Sequence, residues 1–200
     1  MSANIVLASA SKYRAASLRR LNLSFEQRVS NVDETPRSEE TAQQLAIRLA
    51  ADKALSLTSV CPNSIIIGCD QTGSCNGQIL HKPGSRSGAI AQLSDMSGCA
   101  ATFYTGMTII KTNQQGVASI THDLDVTDLK LRTLSANEIE AYVDADMPID
   151  CAGSFKIEAL GITLFSEVKT CDPSALQGIS LIQLTHRLKA LGITFSSTSA

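Results

Sequence analysis

The stretch Ser64-Ile65-Ile66-Ile67-Gly68-Cys69-Asp70-Gln71 constrains the fold more than any other part of the chain. Ile65, Ile66 and Ile67 are consecutive, β-branched and apolar, with no polar alternation. A half-exposed strand would alternate, so this run predicts a strand buried on both faces, as in an α/β sheet covered by helices. Gly68 thins the chain where this strand is expected to end, and Asp70 follows with Gln71 beside it. Open α/β sheets bind ligands beyond the carboxyl ends of their strands, which puts Asp70 where chemistry commonly occurs. An Asp at such a point also opens turns, and the segment by itself leaves both readings open.

Upstream, Asn4 to Ala8 reads as a short strand, and Ser9-Ala10-Ser11-Lys12-Tyr13-Arg14 leads into a helix with Ala15, Leu18 and Leu21 inward. Strand, Ser-rich loop and helix N-terminus together gather anions, because unpaired backbone N–H groups and the helix dipole point at the loop. Ser9 adds a hydroxyl and Arg14 a fixed positive charge, or the serines simply cap the helix beside a solvated Arg. Phe25 to Val32 is a predicted second strand, followed by Asp33-Glu34-Thr35-Pro36. Pro36 keeps the preceding residue extended, so Asp33 and Glu34 point in opposite directions. One of them can face a cleft while the other caps or meets water. Thr41 and Gln44 form a capping box that starts a helix running to about Leu57. Lys53 projects from the apolar stripe of this helix, so it must snorkel or meet an anion.

Asn76-Gly77 marks a hairpin that displays Lys82 before Pro83. Arg86 to Met96 reads as a helix, and Ala100 to Lys111 with Val117 to Leu131 as a long hairpin at the outer part of the sheet. Ser135 and Glu138 cap a helix to about Ala145. The small, polar run Cys151-Ala152-Gly153-Ser154-Phe155-Lys156 precedes a predicted strand from Ile162 to Phe165. Asp172-Pro173 opens a turn closed by Gly178, and Ser180 to Leu191 is the last helix. The tail from about 195 to 200 is expected to be disordered.

A formal net charge of −2 predicts no general attraction to nucleic acid or to an anionic membrane. No apolar run approaches the roughly 20 residues that span a bilayer, and the polar start Met-Ser-Ala-Asn does not resemble a signal peptide. The six cysteines contain no Cys-x-x-Cys pair, which fits a reducing cytoplasm. P-loop and dinucleotide signatures are missing. His81, His122 and His186 lack metal-ligand spacing, and His122 with Asp123 and Asp125 is expected on a solvated strand face.

The ordered set Leu7-Ala8-Ser9-Ala10-Ser11-x-x-Arg14, Asp33-Glu34-Thr35-Pro36, Lys53, Ile66-Ile67-Gly68-x-Asp70, Lys82-Pro83, Tyr104-Thr105-Gly106 and Ala152-Gly153-Ser154-Phe155-Lys156 resembles the Maf-like nucleotide pyrophosphatases. The resemblance covers about residues 4 to 192. It implies a single α/β domain of the Maf/ITPase-like kind, with a central mixed sheet flanked by helices and two lobes around a substrate cleft, commonly dimeric. It also implies hydrolysis between the α- and β-phosphates of a nucleoside triphosphate with Mg²⁺ or Mn²⁺. On that reading Asp70 orients or deprotonates water. Glu34 and Asp70 hold the metal, and Ser9, Arg14, Lys53 and Lys82 grip phosphate. Tyr13, Gln71 and Glu158 resemble the 7-methyl-GTP branch, which clears modified nucleotides, whereas the commoner dTTP and UTP branch has Arg, Thr and Gln there. A nucleotide-binding regulator of cell division is the alternative of another class. Lys12, His81 and Ser180 depart from the family's usual Pro, Gly and Pro.

Overall fold

The structure, a computed structural model, describes residues 4–195. Residues 196–200, most of the tail expected to be disordered, lie outside the described residues, while Phe195 packs partly buried against the core. The elements run β1 (Asn4–Ala8), α1 (Lys12–Arg19), β2 (Glu26–Arg28), α2 (Ala42–Leu55), β3 (Ser64–Cys75), β4 (Gln78–Leu80), α3 (Arg86–Met96), β5 (Ala100–Asn113), β6 (Gly116–Leu131), α4 (Ala136–Asp146), β7 (Phe165–Lys169) and α5 (Leu181–Ala190). Seven strands form one mixed sheet in the order β2-β1-β3-β5-β6-β7, with β4 also paired to β3. β1 runs parallel to both β2 and β3, whereas β3–β4 and β6–β7 are antiparallel. Among the described residues no helix is long and apolar enough to cross a membrane.

The described residues divide into two compact units, one of 4–71, 105–125 and 172–195, the other of 72–104 and 126–171. In the first, Ile65 and Ile67 pack with Ile5, Leu7, Leu18, Met107, Leu184 and Leu188, while Ile66 packs with Val6, Ala8, Ala54 and Ile110. Strand β3 is therefore buried on both faces, as its unbroken isoleucines require. Each such side chain contributes about 1.5–3 kcal/mol through burial. In the second unit the aromatic rings of Phe103, Phe155 and Phe165 meet edge to face. Their centroids lie 5.2 and 4.9 Å apart, the arrangement that ring quadrupoles favour.

Several expectations are corrected. β3 does not end at Gly68 but continues to Cys75, because its later residues Gly73 to Cys75 pair with β4. Asp70 is thus inside a strand rather than at the opening of a turn. β2 is only three residues long, since β1 pairs with it through Ala8 and then leaves the sheet. β5 lies beside β3 rather than at the outer part of the sheet, which suits the continuous burial of Thr105 to Ile110. Residues 160–164 form a 3-10 turn, so the last strand begins only at Phe165. Of His122, Asp123 and Asp125, expected together on a solvated face, only His122 is exposed. Its ring nitrogen Nδ1 lies 2.9 Å from the Thr108 hydroxyl, Asp123 pairs with Arg187, and Asp125 is buried.

Candidate active site

Lys53 is the centre of the first unit's polar groups. The Thr41–Gln44 capping box starts α2, and the helical repeat places Lys53 on the same stripe as Leu49 and Ala50. Helix α2 can approach the sheet closely because two glycines face it. A Cβ on Gly68 would overlap the Ala50 carbonyl and crowd Ala54, and one on Gly106 would stand 2.5 Å from the Ala46 carbonyl oxygen. Close approach brings the Lys53 ammonium to Asp70, two residues along β3 from Gly68. Nζ donates to Asp70 Oδ1 at 2.7 Å and pairs with Glu34 Oε1 at 2.6 Å. The Lys53 and Asp70 side chains are 6% and 10% exposed, whereas Glu34 is 55% exposed. A lysine this buried stays charged only with partners, so the anion-partner reading of Lys53 holds over the snorkelling one.

Glu34 reaches Lys53 because the chain around it is tied down. Asp33 accepts the Thr35 N–H at 2.9 Å, and hydrogen bonding from Thr35 holds its carboxyl below the ordinary carboxylate range. Its neighbour Glu34 consequently faces the other way, as extended geometry demands. Arg48 on α2 anchors the same segment, donating to the Thr35 carbonyl at 3.1 Å and to Glu40 at 2.7 Å.

The loop between β1 and α1 is also braced. Ser11 caps α1 by accepting the Arg14 N–H. Buried Ser9 accepts the Ser11 N–H at 3.2 Å and Arg14 Nη1 at 3.1 Å. Gln27 on β2 donates to the Ser9 carbonyl at 2.8 Å. Arg14 Nε donates to the Gly178 carbonyl at 2.9 Å. Gly178 has φ +90°, and a Cβ there would stand 3.0 Å from that same Nε. Tyr13 carries the Lys12 ammonium 5.0 Å from its ring centroid.

Gln71 is held by a loop distant in sequence. Its Nε2 donates to the Ala175 carbonyl at 2.7 Å and lies 3.0 Å from Thr105 Oγ1. The Thr105 hydroxyl donates to the same carbonyl at 3.1 Å. Asp172 organises this loop: it accepts from Ser174 N and Oγ, Ser180 Oγ and Ile182 N at 2.6–2.8 Å. Burial raises the Asp172 pKa, but the four donors outweigh it and leave the carboxyl below its ordinary range. Thr105, Ala175, Gly178 and Asp172 are positioning groups that the sequence reading did not assign. The Tyr104-Thr105-Gly106 motif and the Asp172-to-Gly178 turn were the signals pointing to them.

The other two predicted residues lie in the second unit. Lys82 is exposed two residues beyond β4. Glu158 is exposed in a turn whose Ala159 and Gly161 N–H groups both bond to the Lys156 carbonyl at 3.1 Å. Lys156 is itself fastened, its ammonium donating to the Asp146 carbonyl at 2.6 Å at the end of α4. The structure therefore brings together Glu34, Lys53 and Asp70, and separately Ser9 with Arg14. It places Tyr13 beside Arg14 on α1, and Lys82 and Glu158 in a unit of their own.

Chemically, the first unit offers a carboxylate beside a buried ammonium, a second carboxylate open to solvent, and a guanidinium at a helix N-terminus. These are the groups needed to receive a polyphosphate and to take a proton from water. Among the described residues no cluster of three or more His, Cys, Asp or Glu side chains could hold a metal unaided.

Comparison with known proteins fits this geometry. Residues 4–191 match the sequence profile of the family described as Maf-like protein. The chain is 44% identical over 192 residues to a "7-methyl-GTP pyrophosphatase" of Xanthomonas oryzae pv. oryzae, covering 96% of this chain and 98% of that protein. It is 43% identical to a protein of the same name from Hahella chejuensis, covering 95% and 94%. In fold it resembles a HAM1 protein from Coxiella burnetii, with a TM-score of 0.52, 14% identity and coverage of 94% and 100%.

Proposed function

Because this chain belongs to the Maf-like protein family, we propose that it hydrolyses 7-methyl-GTP to 7-methyl-GMP and pyrophosphate, removing a modified nucleotide from the pool. The observation that carries the reading is the buried Lys53 ammonium held between Asp70 and Glu34. It occurs in a chain more than two-fifths identical to proteins named for that activity.

Water adds to the α-phosphorus, the bond from that phosphorus to the bridging oxygen breaks, and pyrophosphate leaves. Asp70 orients the water and takes the proton it gives up. Lys53 holds the Asp70 carboxylate and, with Arg14 and Lys82, meets the charge growing on the leaving pyrophosphate. Ser9 and the N-terminus of α1 receive phosphate oxygens.

The carboxylate pair also fits a divalent cation. Glu34 Oε1 and Asp70 Oδ1 already converge on one cationic nitrogen, and Mg²⁺ or Mn²⁺ is commonly held by one or two carboxylates plus substrate phosphates. Glu34 and Asp70 would hold it, and when bound it would neutralise phosphate charge. For the base, we assign the Tyr13 ring to the positively charged 7-methylguanine and Glu158 to its N1–H and exocyclic amine.

Pyrophosphate release from purified protein with Mg²⁺ or Mn²⁺ tests the reading, using 7-methyl-GTP, GTP, dTTP and UTP. The highest kcat/KM is expected for 7-methyl-GTP. A preference for dTTP or UTP would overturn the base assignment. Binding of nucleotide without release from any of the four would point to a regulator rather than an enzyme.

A further inference from the structure

We infer that Thr105 is a positioning residue that locks Gln71 as an acceptor-only group, so that Gln71 selects a hydrogen-bond donor on the substrate. The inference rests on the 7-methyl-GTP reading above. A carbonyl oxygen has no proton to give, so the group 2.7 Å from Ala175 O must be the Gln71 NH₂. By the same logic, the Thr105 hydroxyl gives its one proton to that carbonyl at 3.1 Å. Thr105 Oγ1 can then only accept from Gln71, which it does at 3.0 Å. Both amide N–H groups are thereby committed, and Gln71 Oε1 is turned away from Thr105 and Ala175. Among the described residues no donor reaches Oε1, and it is not a buried, unpartnered atom. Ordinarily an amide can rotate to suit donors or acceptors. Here a buried threonine on β5 and the loop braced by Asp172 remove that choice.

An acceptor in that position excludes the acceptor edges of a purine, O6 and N3. It accepts instead from the exocyclic amine or from a ribose hydroxyl. Thr105→Val keeps the β-branched shape but deletes the hydroxyl, releasing one Gln71 N–H and letting the amide turn. Thr105→Ser keeps the hydroxyl.

The experiment compares kcat/KM for 7-methyl-GTP, for 7-methyl-ITP (which lacks the exocyclic amine) and for 2′-deoxy-7-methyl-GTP. Wild type, Thr105→Ser, Thr105→Val and Gln71→Met are used, with thermal melting to verify folding. Wild type and Thr105→Ser are expected to prefer 7-methyl-GTP over one of the two analogues by about 3–10-fold, the worth of one neutral hydrogen bond. That preference should fall by this factor in Gln71→Met and by less in Thr105→Val, with Glu158 still reading the exocyclic amine, and the analogue whose discrimination changes identifies the donor. Folded Thr105→Val with wild-type discrimination, or a wild type that discriminates against neither analogue, would overturn the inference. Failure of wild type to hydrolyse 7-methyl-GTP at all would instead strike the underlying reading.

Discussion

The two units hold their predicted site residues in contrasting ways. In the first, the predicted site residues are fastened: Lys53 to Asp70 and Glu34, Arg14 to Ser9 and Gly178, Gln71 to Ala175 and Thr105. In the second, Lys82 and Glu158 are exposed on short connections, and among the described residues neither has a side-chain partner. The difference is physical. Groups that must act on a bond need a geometry fixed before the substrate arrives, because misplacement costs rate. Groups that only recognise the substrate can be ordered by the ligand itself, at an entropic cost on binding.

The sharpest way to break this contrast is to cut the central ion pair. Lys53→Met should destabilise the fold by about 3–5 kcal/mol, because it strands Asp70 as a buried charge without its partner. Urea unfolding measures this, and Lys53→Met with Asp70→Asn should recover part of the loss. Lys82→Ala is the control, expected to change stability by no more than about 0.5 kcal/mol while weakening all triphosphates alike. Equal stability losses at the two lysines would erase the distinction between the units.

Asp70→Asn keeps shape and loses charge. Turnover should fall at least about 10²-fold while nucleotide binding persists, read by pyrophosphate release and by equilibrium binding. Near-normal turnover in the folded variant would remove Asp70 from the chemistry. Gly178→Ala probes the bracing loop. Its φ of +90° is strained for any side chain, so a loss of about 1–2 kcal/mol is expected, and the new Cβ should displace Arg14. KM should then rise for every nucleotide without changing their ranking.

Base choice should respond more gently. Replacing Tyr13 by Arg together with Glu158→Gln is expected to reverse the preference for 7-methyl-GTP over dTTP. Tyr13 contributes about 0.5–2 kcal/mol through its ring face. Competition between the two substrates measures the change. Since the Lys12 ammonium already lies 5.0 Å from that ring, Lys12→Gln should strengthen binding of the cationic base slightly. The smallest effect is pH-dependent. Asp172 titrates below its ordinary pKa of 3.8 when folded. Its stabilisation is therefore complete above that value and is lost as pH falls through the lower, folded pKa. Thermal melts of wild type and Asp172→Asn between pH 6 and pH 3 should converge only at the acid end.

Much of this was legible in the amino-acid order. The isoleucine run announced a buried strand, and the Thr41–Gln44 and Ser135–Glu138 boxes announced two helix starts, each now seen with both reciprocal bonds. Lys53 on an apolar stripe had to snorkel or meet an anion, and the Asp33-Glu34 pair before Pro36 divided its roles as extended backbone requires. These features depend on neighbours within a few residues, where periodicity and capping chemistry operate. What the tertiary structure alone decided lies at longer range. Strand pairing carried β3 through Asp70, and Gly68 proved to admit a helix rather than to end a strand. The lock on Gln71 joins residues separated by 34 and 104 positions. Such contacts follow from sheet register and from which loop the closed fold returns to the strand, and no local pattern of side chains encodes either.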